Sequence, residues 1–268
     1  MKIGIFDSGL GGLIIAKAIK ERLPQYDYIY FGDTIHLPYG GRSNEAIYKY
    51  TKQAIEYLFK NDCKLIIIAC NTATSSALRL LQQTYLPKHY PDRRILGVIA
   101  PTVEIATEKH YKTIGVLATS STVSSKVYDQ EIKKIDATAK MLSNDAPLLV
   151  PLIENNGKRW ARPILKTYLA PLLKEKINAL LLGCTHYPYL KKEIKRIVGK
   201  DVKIISQDEF IPEKLMDYLQ RHPEIEKTLT KTGTQNFYVT DLTSNYISAA
   251  QKLYGTSIEI KQANKIAK

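Results

Sequence analysis

Two cysteines stand in matching settings, one in LIIIACNTA (Leu65 to Ala73) and one in ALLLGCTHY (Ala179 to Tyr187). Each follows a short apolar run that reads as a buried parallel strand, and each leads through small and polar residues into helical periodicity. In an open α/β sheet, ligands are met at the carboxyl ends of the strands. Cys70 and Cys184 are therefore both placed to face a ligand. Two thiols on one ligand point to proton transfer at opposite faces of a carbon. Each also sits near a helix N-terminus, which favours the thiolate. A buried structural cysteine is the competing reading, and the hydrogen-bonding neighbours Asn71, Thr72, Thr185 and His186 weigh against it. His186, beside Cys184, can relay a proton or hold the charge state of the thiol. Zinc is the other chemistry open to these residue types. No Cys-x-x-Cys spacing occurs, however, and Cys70, Cys184 and His186 are three ligands without a clear fourth, so no metal site is expected.

Other candidate segments fall at further strand ends. FDSGLGG (Phe6 to Gly12) opens with Asp7, a carboxylate that could tune a nearby acid or base or simply cap the next helix. Its glycines, at 9, 11 and 12, do not make a dinucleotide fingerprint. They allow close backbone approach, and the helix that follows offers free N–H groups to an anion. FGDTIHLPYGGRS (Phe31 to Ser43) is a Pro- and Gly-bearing loop, where the amides of Tyr39 and Gly40 could hold a carboxylate or merely form a turn. LVPLIENNG places Glu154 after an apolar run. That carboxylate could orient His186 through its second ring nitrogen, or it could be a solvated loop residue. Cys63, in KNDCKLI, has no partner and reads as a structural thiol. Trp160, in KRWARP, reads as a packing residue.

The elements that would position these residues alternate. Strands are expected at Lys2–Phe6, Tyr28–Gly32, Lys64–Ala69, Ile95–Ile99, Thr113–Ala118, Ala137–Leu142, Asn178–Gly183 and Val202–Ile205. Helical periodicity lies between them, and a single helix is expected over Val123–Lys133. This alternation argues for parallel sheets with helices on their faces. A weak internal repeat runs through it: IGIFDSG (Ile3 to Gly9) is echoed by IGVLATS (Ile114 to Ser120), and LIIIACNT by LLLGCTH. The expected fold is α/β, with two pseudo-symmetric doubly wound lobes and an active-site cleft between them. Residues 1–97 form the first lobe, with 207–268 packing back on it, and 98–206 form the second. The tail is expected to carry strands at Phe237–Thr240 and Ser257–Ile260.

Composition sets outer limits. The chain has 268 residues, 44% hydrophobic and 24% charged, as in an ordinary globular protein with a sizeable core. Three cysteines are not a disulfide framework, and reduced thiols in a cytoplasm are expected. No run approaches the roughly 20 apolar residues of a membrane-spanning helix. The net charge of +13 suits a solvated basic surface or an anionic substrate. A nucleic-acid partner is the weaker reading, because the basic residues are spread along the chain.

Taken together, FDSGLGG, YFGDT.HLPYG with Ile35 at the open position, ACNTA, PLIE and LGCTHYP, in this order, resemble the glutamate racemase family. The resemblance implies two α/β lobes with the active site between them, no cofactor, and interconversion of L- and D-glutamate by two bases. It implies that Cys70 acts on D-glutamate and Cys184 on L-glutamate. Asp7 and His186 would assist their respective thiols, with Glu154 holding His186. It carries substrate contacts over to Asp7, Ser8, Tyr39, Gly40, Asn71, Thr72, Thr119, Thr122, Thr185 and His186. It further implies supply of D-glutamate for peptidoglycan, and allows a homodimer. Three segments depart from the family's pattern: Ala118 precedes Thr119 where a Gly is frequent, Ala100 precedes Pro101 where a charged residue is frequent, and SQDEF (Ser206 to Phe210) lacks a frequent Gly-Glu. Aspartate and hydantoin racemases share the two-cysteine plan and remain alternatives, as does a basic DNA- or gyrase-associated protein.

Overall fold

The computed structural model describes residues 1–263. Two sheets organise them, and every strand pairing is parallel. The first sheet contains β1 (Lys2–Asp7), β2 (Tyr28–Gly32), β3 (Cys63–Ile68) and β4 (Arg94–Gly97). The second contains β5 (Thr113–Ala118), β6 (Lys140–Asp145), β7 (Ala179–Gly183) and β8 (Lys203–Ile205). The late strands β9 (Gln235–Val239) and β10 (Ile260–Gln262) extend the first sheet beyond β2. Central strands such as β3 and β7 are buried along their whole length. Apart from Lys64, which pairs with Asp92, they read as apolar runs because helices cover both faces of a parallel sheet.

The spatial order is β10-β9-β2-β1-β3-β4 in one sheet and β6-β5-β7-β8 in the other. The first four strands of each sheet thus follow the same winding, with the chain reversing direction across the sheet once. That reversal opens a crevice at the carboxyl ends of β1 and β3, and an equivalent one at the ends of β5 and β7. At or just past those ends stand Asp7 with Ser8, Cys70, Thr119 and Cys184. Duplication of the winding is what the internal repeat reflects.

Several boundaries differ from expectation for identifiable reasons. β6 begins at Lys140 rather than Ala137, because the Asp136 carboxylate accepts from both the amide and the hydroxyl of Thr138 and holds a turn there. β4 ends at Gly97, and Ile99 already opens the helix Ile99–Glu108; Pro101 fits its first turn, where no N–H is needed. The helix expected over Val123–Lys133 is two, Ser120–Ser124 and Val127–Ile135, broken at Lys126 with φ of +52°. The helix Leu149–Glu154 is not among the expected elements; Pro151 stands in its first turn, where no N–H is needed. β10 starts at Ile260, where the expected strand ended. Residues 264–268 of the expected first lobe lie outside the described residues.

The tail is tied to β2 by a buried carboxylate. Asp27, 4% exposed, accepts from the amide and hydroxyl of Thr232 and the amide of Thr234. Burial alone would raise its pKa, but hydrogen bonds from Thr230, Thr234 and Thr232 outweigh it and hold the carboxyl well below the usual range. Its contribution is therefore complete above the ordinary carboxylate pKa and fades as pH falls toward the folded value. Asp27→Ala is expected to cost about 2 kcal/mol in urea unfolding at pH 7, with the difference from wild type shrinking below about pH 4. Equal stability at pH 7 would show that this tie contributes nothing.

Candidate active site

Cys70 and Cys184 lie on one small cavity of about 70 Å³ between the two sheets. Of the residues expected at the site, Ser8, Tyr39, Gly40, Asn71, Thr72, Thr119, Thr185 and His186 line it as well. Asp7, Thr122 and Glu154 stand behind that lining rather than in it. Leu37, Pro38, Gly41, Ser120, Pro147 and Val150 complete the wall; none was expected. A cavity of about 430 Å³, lined by residues such as Leu78, Leu96, Arg79, Lys214 and Arg221, holds neither thiol. Its three cations are already paired, Arg79 with Glu131, Lys214 with Glu104 and Glu108, and Arg221 with Asp217. The smaller cavity carries the chemistry.

The Cys70 wall is built by two strand ends. Cys70 caps the helical turn Asn71–Ala73, its Sγ accepting from the Ala73 amide at 3.4 Å, and the Ser8 hydroxyl lies 3.2 Å from the same sulfur. The expectation that a helix N-terminus would favour the thiolate is not met here. Burial, reinforced by the nearby Asp7 charge, outweighs the Ser8 and Ala73 hydrogen bonds and pushes the thiol up to about 12. Cys70 therefore rests as a neutral thiol. Asp7 is itself fully buried. Burial raises its pKa, opposed by the His186 charge, by the amides of Gly9 and Gly12 and by the Thr185 hydroxyl. The N–H groups of the glycine loop are thus turned onto the chain's own carboxylate rather than onto a bound anion.

The Cys184 wall is a relay. The sulfur lies 3.9 Å from His186 Nδ1, and His186 Nε2 lies 2.8 Å from Glu154 Oε1. Burial of His186 disfavours its charged form, but hydrogen bonds to Cys184 and Glu154 and their negative charge reverse this and raise its pKa well above the usual range. Glu154 closes the helix Leu149–Glu154 and is not the solvated loop residue that the sequence also allowed. Among the described residues, no group of three His, Cys, Asp or Glu side chains could hold a metal ion.

Four contacts pull the walls together: Thr185 with Asp7, Thr72 with Thr119, Gly11 with His186, and Gly40 with Thr119. Thr185 Oγ1 donates to Asp7 Oδ1 at 3.2 Å, crossing from the second sheet to the first. Thr72 Oγ1 lies 2.8 Å from Thr119 Oγ1, which lies 3.0 Å from Thr122 Oγ1. Gly11 packs against His186 so closely that a Cβ would fall 2.3 Å from Nδ1, and a Cβ on Gly40 would fall 2.9 Å from that of Thr119. These glycines are there for close approach. The loop bearing Tyr39 and Gly40 is anchored by Asp33, whose buried carboxylate accepts from the Tyr39 hydroxyl at 2.6 Å and from Thr240, and also meets His36. Asp33 was missed as a site-shaping residue although it stands inside the quoted YFGDT motif. Trp160, expected to pack, is 59% exposed.

A model of the Asp/Glu/Hydantoin racemase family matches residues 14–207. The chain belongs to that family. A glutamate racemase of Geobacter metallireducens is 36% identical, across 94% of this chain and 92% of the relative. Among solved structures, a glutamate racemase isoform of Bacillus anthracis superposes with a TM-score of 0.89 at 33% identity, covering 100% of this chain and 98% of that one. The glutamate racemase of Francisella tularensis, solved with D-glutamate, superposes with a TM-score of 0.88 at 33% identity, covering 98% and 97%. The fold is accordingly α/β with two mainly parallel sheets, and the protein is an isomerase of the racemase class. Among the described residues, no helix is long and apolar enough to cross a membrane.

The charge on His186 is the feature of this site most open to direct test. Glu154→Gln keeps a hydrogen-bond partner for Nε2 but removes its negative charge. By NMR the imidazole is expected to titrate above the ordinary histidine range in wild type and at lower pH in the variant. Identical titration in both would mean that Glu154 does not raise the pKa of His186.

Proposed function

We propose that the protein is a glutamate racemase that interconverts L- and D-glutamate by proton transfer between two cysteines. The observation that carries this reading is the pair of thiols at equivalent strand ends, on facing walls of one small cavity. The neighbours of the two thiols suit one direction. His186, whose pKa is raised by its hydrogen bonds to Cys184 and Glu154 against the cost of burial, stands beside Cys184, while burial pushes the Cys70 thiol up to about 12; Cys184 is accordingly assigned as the base for L-glutamate. With L-glutamate bound, the Cys184 thiolate takes the α-proton, and the electron pair of the C–H bond remains on the α-carbon and its carboxylate. Cys70 then gives its proton to the opposite face and becomes the thiolate. The enzyme that releases D-glutamate is thus poised for the reverse reaction, and the two thiols titrate as a linked pair.

A thiol with an ordinary pKa near 8.5 is a weak base for an α-proton, so the developing charge must be stabilised by fixed donors in a water-poor site. The amides of Tyr39 and Gly40 and the side chains of Ser8, Asn71, Thr72, Thr119 and Thr185 are the donors assigned to this task. Asp7 assists Cys70, and Thr122 supports Thr119 from behind. The two lobes are assigned as 1–97 with the tail from 207, and 98–206. The reaction would supply D-glutamate for peptidoglycan from the cytoplasm. Curated relatives named as glutamate racemases at similar length support the choice of substrate.

The test is racemisation of each enantiomer by wild type, Cys70→Ala and Cys184→Ala, with no cofactor added. Wild type is expected to racemise both, and each variant to lose about 10³-fold or more. Turnover of aspartate without glutamate would keep the chemistry and overturn the substrate. Full activity in either variant would overturn the two-thiol route.

A further inference from the structure

The segment Ser206 to Phe210 departs from the family's pattern, and its Gln207 takes no part in the chemistry proposed so far. The structure places Gln207 after β8, almost wholly buried (1% exposed), and outside the cavity lining. It meets Asn71, the residue that follows Cys70, in a reciprocal amide pair. Asn71 Nδ2 lies 2.9 Å from Gln207 Oε1, and Gln207 Nε2 lies 2.9 Å from Asn71 Oδ1. Gln207 Nε2 also lies 3.0 Å from Thr102 Oγ1, and the Tyr128 hydroxyl lies 2.7 Å from Asn71 Oδ1. All four side chains are buried.

The direction of every bond in this cluster follows from one hydroxyl. Thr102 Oγ1 spends its single hydrogen on the Val98 carbonyl, 2.6 Å away, so toward Gln207 it can only accept. The amide nitrogen of Gln207 must therefore face Thr102 and Asn71 Oδ1, and its oxygen must face Asn71 Nδ2. Asn71 Oδ1 then accepts twice, from Gln207 and from Tyr128, and has no capacity left. One N–H of the Asn71 amide is the one donor hydrogen that these four side chains leave without a protein partner. Asn71 lines the cavity, so its side chain can act there only as a donor.

We infer that Gln207 is a positioning residue for racemisation: it locks the Asn71 amide as a donor-only group and so selects an acceptor, a carboxylate oxygen, as its ligand on the substrate. The clamp also joins the chain after β3 in one sheet to the chain after β8 in the other, beside Cys70. This inference rests on the glutamate racemase reading. It makes Asn71 a partner for a carboxylate of the substrate and not for its ammonium group.

The test compares wild type with Gln207→Met, Gln207→Glu and Tyr128→Phe, through kcat and KM in both directions, pH–rate profiles and melting temperatures. Gln207→Met fills the site but cannot hold the amide, and kcat/KM is expected to fall about tenfold or more, mostly through KM. Both directions must fall equally, because the equilibrium between enantiomers is unity. Gln207→Glu supplies the decisive readout. Its carboxyl, raised in pKa by burial, reproduces the reciprocal pair only while protonated. The variant should therefore show a new loss of kcat/KM as pH rises, absent from wild type and from Gln207→Met, a signature that a merely structural residue would not give. Tyr128→Phe should weaken the lock without this pH limb. Wild-type kcat and KM in a folded Gln207→Met overturn the inference alone, as does a Gln207→Glu profile parallel to that of wild type. A wild type that turns over no glutamate overturns the underlying reading and the inference with it.

Discussion

Burying an imidazole disfavours its charged form, yet His186, 3% exposed, has its pKa raised by the partners on its two ring nitrogens. Only the Glu154 carboxylate on one ring nitrogen and the Cys184 sulfur on the other make that possible. The rest of the site is arranged around this residue. On the opposite wall the order is inverted: burial and the Asp7 carboxylate keep the Cys70 proton in place. The proposed two-thiol route needs such an asymmetry, because two thiols or two thiolates cannot act as base and acid together. The asymmetry comes from the neighbours, since the thiols themselves occupy equivalent positions in the two sheets.

The duplicated winding explains why the site falls where it does. Each sheet reverses once, and each reversal leaves a crevice at the carboxyl ends of its strands. Facing the two crevices toward each other makes one closed cavity without any added element. Closure demands approach at distances that side chains would prevent, which is why Gly11 stands against His186 and Gly40 against Thr119. It also demands hydrogen bonds across the gap, such as Thr185 to Asp7 and Gln207 to Asn71. The cavity is consequently small, and fixed donors at a buried site stabilise charge more strongly than in water.

Much of this could be read from the chain. The strands that lead to Asp7, Cys70, Thr119 and Cys184 are short, mainly apolar and followed by polar residues, so their placement was legible within a residue or two. The meeting of the two cysteines was legible through the repeat and the family motifs. What escaped depended on tertiary contact. Glu154 could equally have been solvated, because nothing in LVPLIENNG reveals a helix that starts with Pro151 in its first turn or says which way its last side chain points. The helix-terminus argument for a Cys70 thiolate failed because burial and Asp7 act through space and left no local mark. Gln207 and Asp33 were unreadable as site residues for a related reason: each acts by filling the hydrogen-bonding capacity of a distant group.

The central claim is that two opposed groups, and not one, handle the α-proton. It is tested most directly by running racemisation of each enantiomer in deuterated water to low conversion and measuring deuterium separately in product and in recovered substrate. Two opposed thiols predict a product that carries solvent deuterium at the α-carbon and a recovered substrate that carries almost none. Deuterium appearing in both at equal rates would mean that a single group removes and returns the proton, and would contradict the account.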